Sequence, residues 1–211
     1  MHHRLRSASA ASFALAISVS LLTTTYASDL VPQLEIGRQA PDFTLVNAID
    51  DRPVAISALK DTARAVCVIF AANHCPVYVA YEERIIDLGR RFAATGVQFL
   101  LVASNDTSFV PEDGPAFMKA RAAEKGYPFP YLFDPDQSVG KAFGARVTPH
   151  VYLFDRGLIL RYRGAIDDSR DPDDVNRHYL RDAITALLAG TPEAIAEPAT
   201  IAKGCTIKWK K

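Results

Sequence analysis

The chain has 211 residues, 49% of them hydrophobic and 23% charged, which is enough for one domain with a sizeable core. Its formal net charge is zero, so no electrostatic footprint points to nucleic acid as a partner. Three cysteines are too few for a disulfide scaffold, but they suffice for one reactive pair and one buried thiol.

The first residues read as a secretory signal over 1–27. Arg4 and Arg6 give a basic start, the stretch Ala10 to Leu22 is apolar and small, and Thr25-Tyr26-Ala27 offers a cleavage site. The apolar run is short for a membrane span and is broken by serines, so a retained anchor is the minor alternative. Export implies a compartment in which disulfides persist, and a bacterial periplasm is the expected one.

A single domain is expected over residues 35–211, with neither an internal repeat nor a low-complexity linker. Gly37 to Leu45 forms an extended opening, with Pro41 pushing its predecessor into an extended conformation. Asp50 to Pro53 reads as a turn, and Val54 to Leu59 as the lead into a short helical turn. Ala65 to Phe70 is continuously apolar and rich in β-branched residues, as a strand buried on both faces must be. Pro76 to Arg91 is then a helix, because Tyr78, Tyr81, Ile85, Leu88 and Phe92 form one apolar stripe at spacings of three and four. Val97 to Ala103 is a second apolar strand, completing a parallel βαβ unit.

Glu112 to Lys125 is expected to be helical up to Gly126, Tyr131 to Phe133 a short strand, and Ser138 to Phe143 a short helix ending at Gly144. Val151 to Tyr162 reads as a hairpin turning at Asp155-Arg156-Gly157. Asp174 to Leu188 is expected as a last amphipathic helix, followed by a tail carrying Cys205.

Cys75 is the residue most suited to chemistry. Pro76 is favoured at the first helical position, which puts Cys75 at the N-cap. There the free backbone N–H groups and the helix dipole favour thiolate over thiol. Cys67 lies inside the apolar strand and reads as structural. Cys205 follows Gly204 in the tail; a mobile tail could fold back and bring it to Cys75. A Cys75–Cys205 bond, a bond between chains and an unpaired surface thiol all remain open. His74 adjoins the candidate thiol and could tune it or touch substrate. His150 follows Thr148-Pro149 and could face the same site. No histidine or cysteine pair has metal-ligand spacing, so neither a metal nor a cofactor is expected.

Four segments, in this order, carry a resemblance. Ala40-Pro41-Asp42-Phe43-Thr44-Leu45, Asn73-His74-Cys75-Pro76, Val147-Thr148-Pro149 and Gly204-Cys205-Thr206-Ile207-Lys208-Trp209 resemble the redoxin, or peroxiredoxin-like, branch of the thioredoxin superfamily. The resemblance implies an α/β thioredoxin-like fold, a central mixed sheet flanked by helices. It implies a thiol–disulfide oxidoreductase with Cys75 and Cys205 as catalytic thiols, Cys205 resolving. Thr148 and a cis Pro149 would shape the substrate groove, with His74 and Pro76 beside it. Partners would be a protein or small-molecule disulfide, or a peroxide, and an external thiol reductant; a membrane reductase is compatible with this.

Ala72 stands where the two-cysteine motif has its first cysteine, so Ala72-Asn73-His74-Cys75 cannot close a disulfide within the motif. Cys75 must therefore pair with Cys205 or act alone, through a mixed disulfide or a sulfenic acid. Two other functions stay open. One is a thiol peroxidase, disfavoured because no threonine stands between Ala65 and Cys75. The other is a non-catalytic thioredoxin-fold module that binds a partner or copper.

Overall fold

The computed structural model describes residues 32–60 and 62–211. The signal-peptide expectation, over 1–27, lies outside the described residues. The sheet is built around β3 (Ala65–Phe70), whose six residues are fully buried. Alternation along this strand divides the core in two. Ala65, Cys67 and Ile69 face one hydrophobic cluster, and Val66, Val68 and Phe70 face the other. Each large apolar side chain buried in this way contributes about 1.5–3 kcal/mol.

β4 (Val97–Ala103) pairs parallel with β3 and with β5 (Tyr131–Phe133). β1 (Thr44–Asn47) pairs antiparallel with β5 and with β2 (Pro53–Ala55). On the other flank β7 (His150–Asp155) runs antiparallel to β3 and forms a hairpin with β8 (Leu160–Gly164). The seven strands lie in the order β2-β1-β5-β4-β3-β7-β8, the mixed sheet expected. The first hairpin is additional: residues read as a turn and a helical lead form β2, and only Ser57–Leu59 coils into a 3-10 turn.

Helix α1 (Pro76–Ala93) lays Tyr78, Ile85, Ile86 and Phe92 on the Cys67 face. α4 (Tyr179–Leu188) packs on that same face through Leu180, Ala183 and Ile184. α3 (Ser138–Phe143) covers the opposite face, where Phe143 meets Phe70 and Tyr152 edge to face. α2 (Pro115–Lys125) begins three residues later than expected, since Gly114 and Pro115 supply the N-cap and first position. α4 also starts late. The Asp168 carboxylate accepts hydrogen bonds from the backbone N–H groups of Asn176 and Arg177, which holds the approach to the helix as a loop.

The tail is no loose end. Cys205–Thr206 forms β9, antiparallel to β6 (Val147–Thr148), with Cys205 opposite Thr148. Beyond it Ile207 is buried, and its N–H donates to the Arg146 carbonyl at 3.0 Å. The Lys208 N–H donates to Asn105 Oδ1 at 2.7 Å, and Gln137 Nε2 donates to the Lys208 carbonyl at 2.7 Å. The mobility expected of the tail is therefore corrected: these bonds and a buried isoleucine fix it. Among the described residues no helix is long and apolar enough to cross a membrane.

Candidate functional site

After the central strand β3 the chain turns through Asn73 and His74, and Cys75 caps α1 with extended backbone angles (φ −80°, ψ 111°). The cap takes the form the sequence predicts: Cys75 Sγ accepts from the Tyr78 N–H at 3.4 Å. The thiol in turn donates to the Thr148 carbonyl at 3.1 Å. The Thr148–Pro149 peptide bond is cis, and it delivers that carbonyl to the sulfur.

Cys205 completes the site. Its backbone pairs with β6 opposite Thr148, the residue whose carbonyl lies 3.1 Å from Cys75 Sγ, and its side chain packs against the cluster that holds Cys75. Gly204 permits the approach, because a Cβ there would lie 2.0 Å from the Thr148 carbonyl oxygen.

The two thiols titrate in opposite directions. Burial works against a charged Cys75. Hydrogen bonds from the Cys205 side chain, Thr148 and the Tyr78 and Cys205 backbone outweigh it, so its pKa falls below the usual 9.0. Cys205 is pushed up, first by burial and then by the neighbouring Cys75 sulfur. Of the two, Cys75 therefore gives up its proton first. Thr148 Oγ1 is buried without a hydrogen-bond partner of good geometry, yet it lies close enough to Cys75 to favour the thiolate.

Not all the residues picked out from sequence meet here. Cys75, Cys205, Thr148 and Pro149 converge. Pro76 occupies the first position of α1 and is exposed. His74 is drawn aside: its Nδ1 lies 2.6 Å from Asp113 Oδ2, and its backbone N–H donates to Oδ1 of the same carboxylate at 3.2 Å. Asp113 is fully buried and also accepts from Asn105 Nδ2 at 2.7 Å, so it braces the turn that carries Cys75. His150 does not face the site. It lies on the opposite face of the sheet beside Tyr152, where burial, then Arg163 and Arg146, lower its pKa to about 3. Cys67 is sealed in β3, and burial alone raises its pKa far above the ordinary range.

Sequence reading missed the support behind Cys75. The fully buried Tyr78 donates its hydroxyl hydrogen to Tyr127 at 2.8 Å, and Tyr127 donates to Glu82. Glu82 is 1% exposed and pairs with Arg121 through two hydrogen bonds of 2.8 and 2.7 Å. Burial raises the Tyr78 pKa well above its usual value, so the phenol stays protonated and serves as packing and donor. The only sequence signal was a glutamate beside the apolar stripe. In front of the site lies a groove of ≈ 740 Å³ lined by Val77, Tyr81, Pro149, Asp167, Lys203 and Gly204, among others. Among the described residues no group of three or more His, Cys, Asp or Glu side chains could hold a metal ion.

Comparison with known proteins agrees with this geometry. The chain is similar to an uncharacterized conserved protein from Geobacillus kaustophilus, at 41% identity over 86% of this chain and 94% of the other, with a TM-score of 0.78. It is similar to a hypothetical protein from Sinorhizobium meliloti 1021 at 34% identity, over 85% and 97% of the two chains, again with a TM-score of 0.78. A protein from Chlorobium tepidum described as a thiol:disulfide interchange protein DsbE shares the fold at 23% identity, over 74% of this chain and 99% of its own, with a TM-score of 0.56. None of the curated proteins compared with the chain matches it. The AhpC/TSA family model matches residues 36–163, a stretch that holds Cys75, Thr148 and Pro149 and stops short of Cys205. With its thioredoxin-like fold and that match, the chain belongs to the AhpC/TSA family of thiol oxidoreductases.

Proposed function

We propose that this protein is an exported thiol–disulfide oxidoreductase whose working couple is Cys75 and Cys205. Cys75 is the nucleophile, activated at the N-terminus of α1, and Cys205 is the resolving cysteine; the pair cycles between dithiol and disulfide. One observation carries this reading: β9 sets Cys205 opposite Thr148, whose carbonyl lies 3.1 Å from Cys75 Sγ, beside the cis Thr148–Pro149 bond. Once Cys75 has attacked a substrate disulfide RSSR and released RS⁻, a neighbouring Cys205 can attack the Cys75 sulfur of the mixed disulfide, closing the protein disulfide and releasing the second RS⁻. Thr148 and Pro149 shape the site, while His74 and Pro76 border it. The domain that does this spans 35–211. The basic start and apolar run of residues 1–27 support export, and an oxidising compartment suits a couple of this kind.

The test is turnover with two substrates under an external dithiol reductant. Glutathione disulfide should be reduced faster than hydrogen peroxide, and Cys75→Ser should abolish both reactions. Faster turnover of peroxide would make the protein a thiol peroxidase instead. No turnover of either substrate would leave the non-catalytic binding module.

A further inference from the structure

Two buried amide side chains hold the tail by its backbone. Asn105, 3% exposed, accepts the Lys208 N–H at Oδ1, 2.7 Å away. Gln137, 0% exposed, donates from Nε2 to the Lys208 carbonyl and accepts the Lys210 N–H at Oε1, both at 2.7 Å. The Asp106 N–H adds a bond of 2.8 Å to the same Lys208 carbonyl. None of these contacts involves a tail side chain, so they fix where the segment lies and not what it carries. Gln137 adopts a left-handed backbone (φ 63°) to make them, a conformation disfavoured for residues with a side chain.

Asn105 does more than hold the tail. Its Nδ2 donates to Asp113 Oδ2 at 2.7 Å. The fully buried Asp113 carboxylate accepts the His74 N–H at 3.2 Å and lies 2.6 Å from His74 Nδ1. His74 immediately precedes Cys75, and Lys208 follows shortly after Cys205. One side chain therefore joins the turn that carries one thiol to the segment that carries the other. Its amide works in a single orientation, oxygen toward the tail N–H and nitrogen toward the carboxylate. An aspartate there would set a second carboxylate against Asp113, and an alanine would reach neither partner.

We propose that Asn105 and Gln137 are positioning residues for the resolving step: they keep the Cys205 segment in register with the Cys75 turn, so that Cys205 is at hand once Cys75 carries substrate. This rests on the Cys75–Cys205 couple and assigns the residues that serve its second half. With a disulfide RSSR, the Cys75 thiolate attacks one sulfur, forming Cys75–SR and releasing RS⁻. Cys205 then gives its proton to solvent, and its thiolate attacks the Cys75 sulfur, closing the protein disulfide and releasing the second RS⁻. The substrate gains two electrons and the protein loses two. The first attack needs only Cys75 and the groups around it. The second needs two chain segments held together, and a misplacement of about 1 Å costs such a step roughly a hundredfold.

The experiment mixes the reduced full chain with one equivalent of a chromogenic aromatic disulfide that releases a thionitrobenzoate anion at each exchange. The wild type should release two anions in two phases. The first speeds up with reagent concentration, and the second, being intramolecular, does not. Asn105→Ala and Gln137→Gly should each slow the second phase by about tenfold or more and leave the first close to its wild-type rate, with the waiting mixed disulfide mapped to Cys75. Gln137→Gly suits the test because glycine adopts the left-handed backbone freely, so the loss is confined to the side chain. A normal first phase also shows that the Cys75 turn is folded. Unchanged second phases in both variants would overturn the proposal, as would equal slowing of both phases, which is what a purely structural role produces. A wild-type chain that releases a single anion has no working couple. That failure overturns the couple and the proposal together and shows in the wild type alone, whereas failure of the proposal by itself shows only in the variants.

Discussion

Cys67 and Cys75 lie eight positions apart, one inside β3 and one in the turn that follows it, and both are completely buried. Only one is chemically poised. In the interior of β3, Cys67 meets apolar neighbours, and unopposed burial drives its pKa up. In the turn after β3, Cys75 suffers the same desolvation, but donors from three elements reverse it: Tyr78 in α1, Thr148 in β6 and Cys205 in β9. A buried thiol is therefore made inert or reactive by the hydrogen bonds around it, and burial alone does not decide. The contrast has a consequence for stability. Because the folded pKa of Cys75 lies below 9.0, its contribution is fully present above pH 9 and is lost as the pH falls through the folded value.

Deleting each thiol tests the contrast most severely. Cys75→Ser should lower disulfide turnover by about three orders of magnitude or more, whereas Cys67→Ala should keep its turnover and lose about 1–2 kcal/mol of stability. Steady-state kinetics and urea unfolding separate the two effects. If Cys67→Ala proved the inactive variant, the assignment of roles would be reversed.

His150 extends the comparison to a buried base. Like Cys67 it is desolvated; Gln33 Nε2 and the Tyr152 hydroxyl each lie 3.4 Å from a ring nitrogen but bring no negative charge, and its folded pKa is about 3 against an ordinary 6.5. The unfolded chain takes up this proton first, so stability is full above about pH 6.5 and is lost progressively as the pH falls toward 3. Between pH 7 and pH 4.5 this group alone should cost about 2–3 kcal/mol, and His150→Asn should remove that part of the loss. Unfolding curves at the two pH values, wild type against variant, measure it.

Two smaller changes act on the donors. Gly204→Ala pushes a Cβ against the Thr148 carbonyl, which cannot yield without moving β6. It should lift Cys205 from Cys75, raise the Cys75 pKa toward 9 and cost about 1–3 kcal/mol of stability. Thr148→Val removes one hydroxyl from beside the sulfur and should raise the Cys75 pKa by less than Gly204→Ala does. Ultraviolet thiolate absorbance against pH reads both, and an unmoved titration in both variants would break the account of how Cys75 is activated.

How much of this was legible in the sequence follows from the range of the interactions involved. β3 and α1 were readable because their signals are local: six consecutive apolar residues, then a stripe of period 3.6 opened by a proline. The N-cap position of Cys75 followed from Pro76. β6 and β9 were not readable, since each has two residues and exists only by pairing with a distant partner. For the same reason the tail was taken as mobile, although Asn105, Arg146 and Gln137 hold it. His74 was drawn from the site by Asp113, which no sequence pattern connects to it. Nothing local in the sequence marks Glu82 as buried. It is buried because Arg121 from α2 and Tyr127 just beyond that helix come together to satisfy it.

The most direct test is to map the disulfides of the oxidised protein and titrate them in glutathione redox buffers. A single Cys75–Cys205 bond, with Cys67 left as a free thiol and a reduction potential above about −300 mV, is the predicted result, since structural disulfides typically lie below that value. Absence of that bond, or one that resists reduction below about −300 mV, would contradict a working Cys75–Cys205 couple.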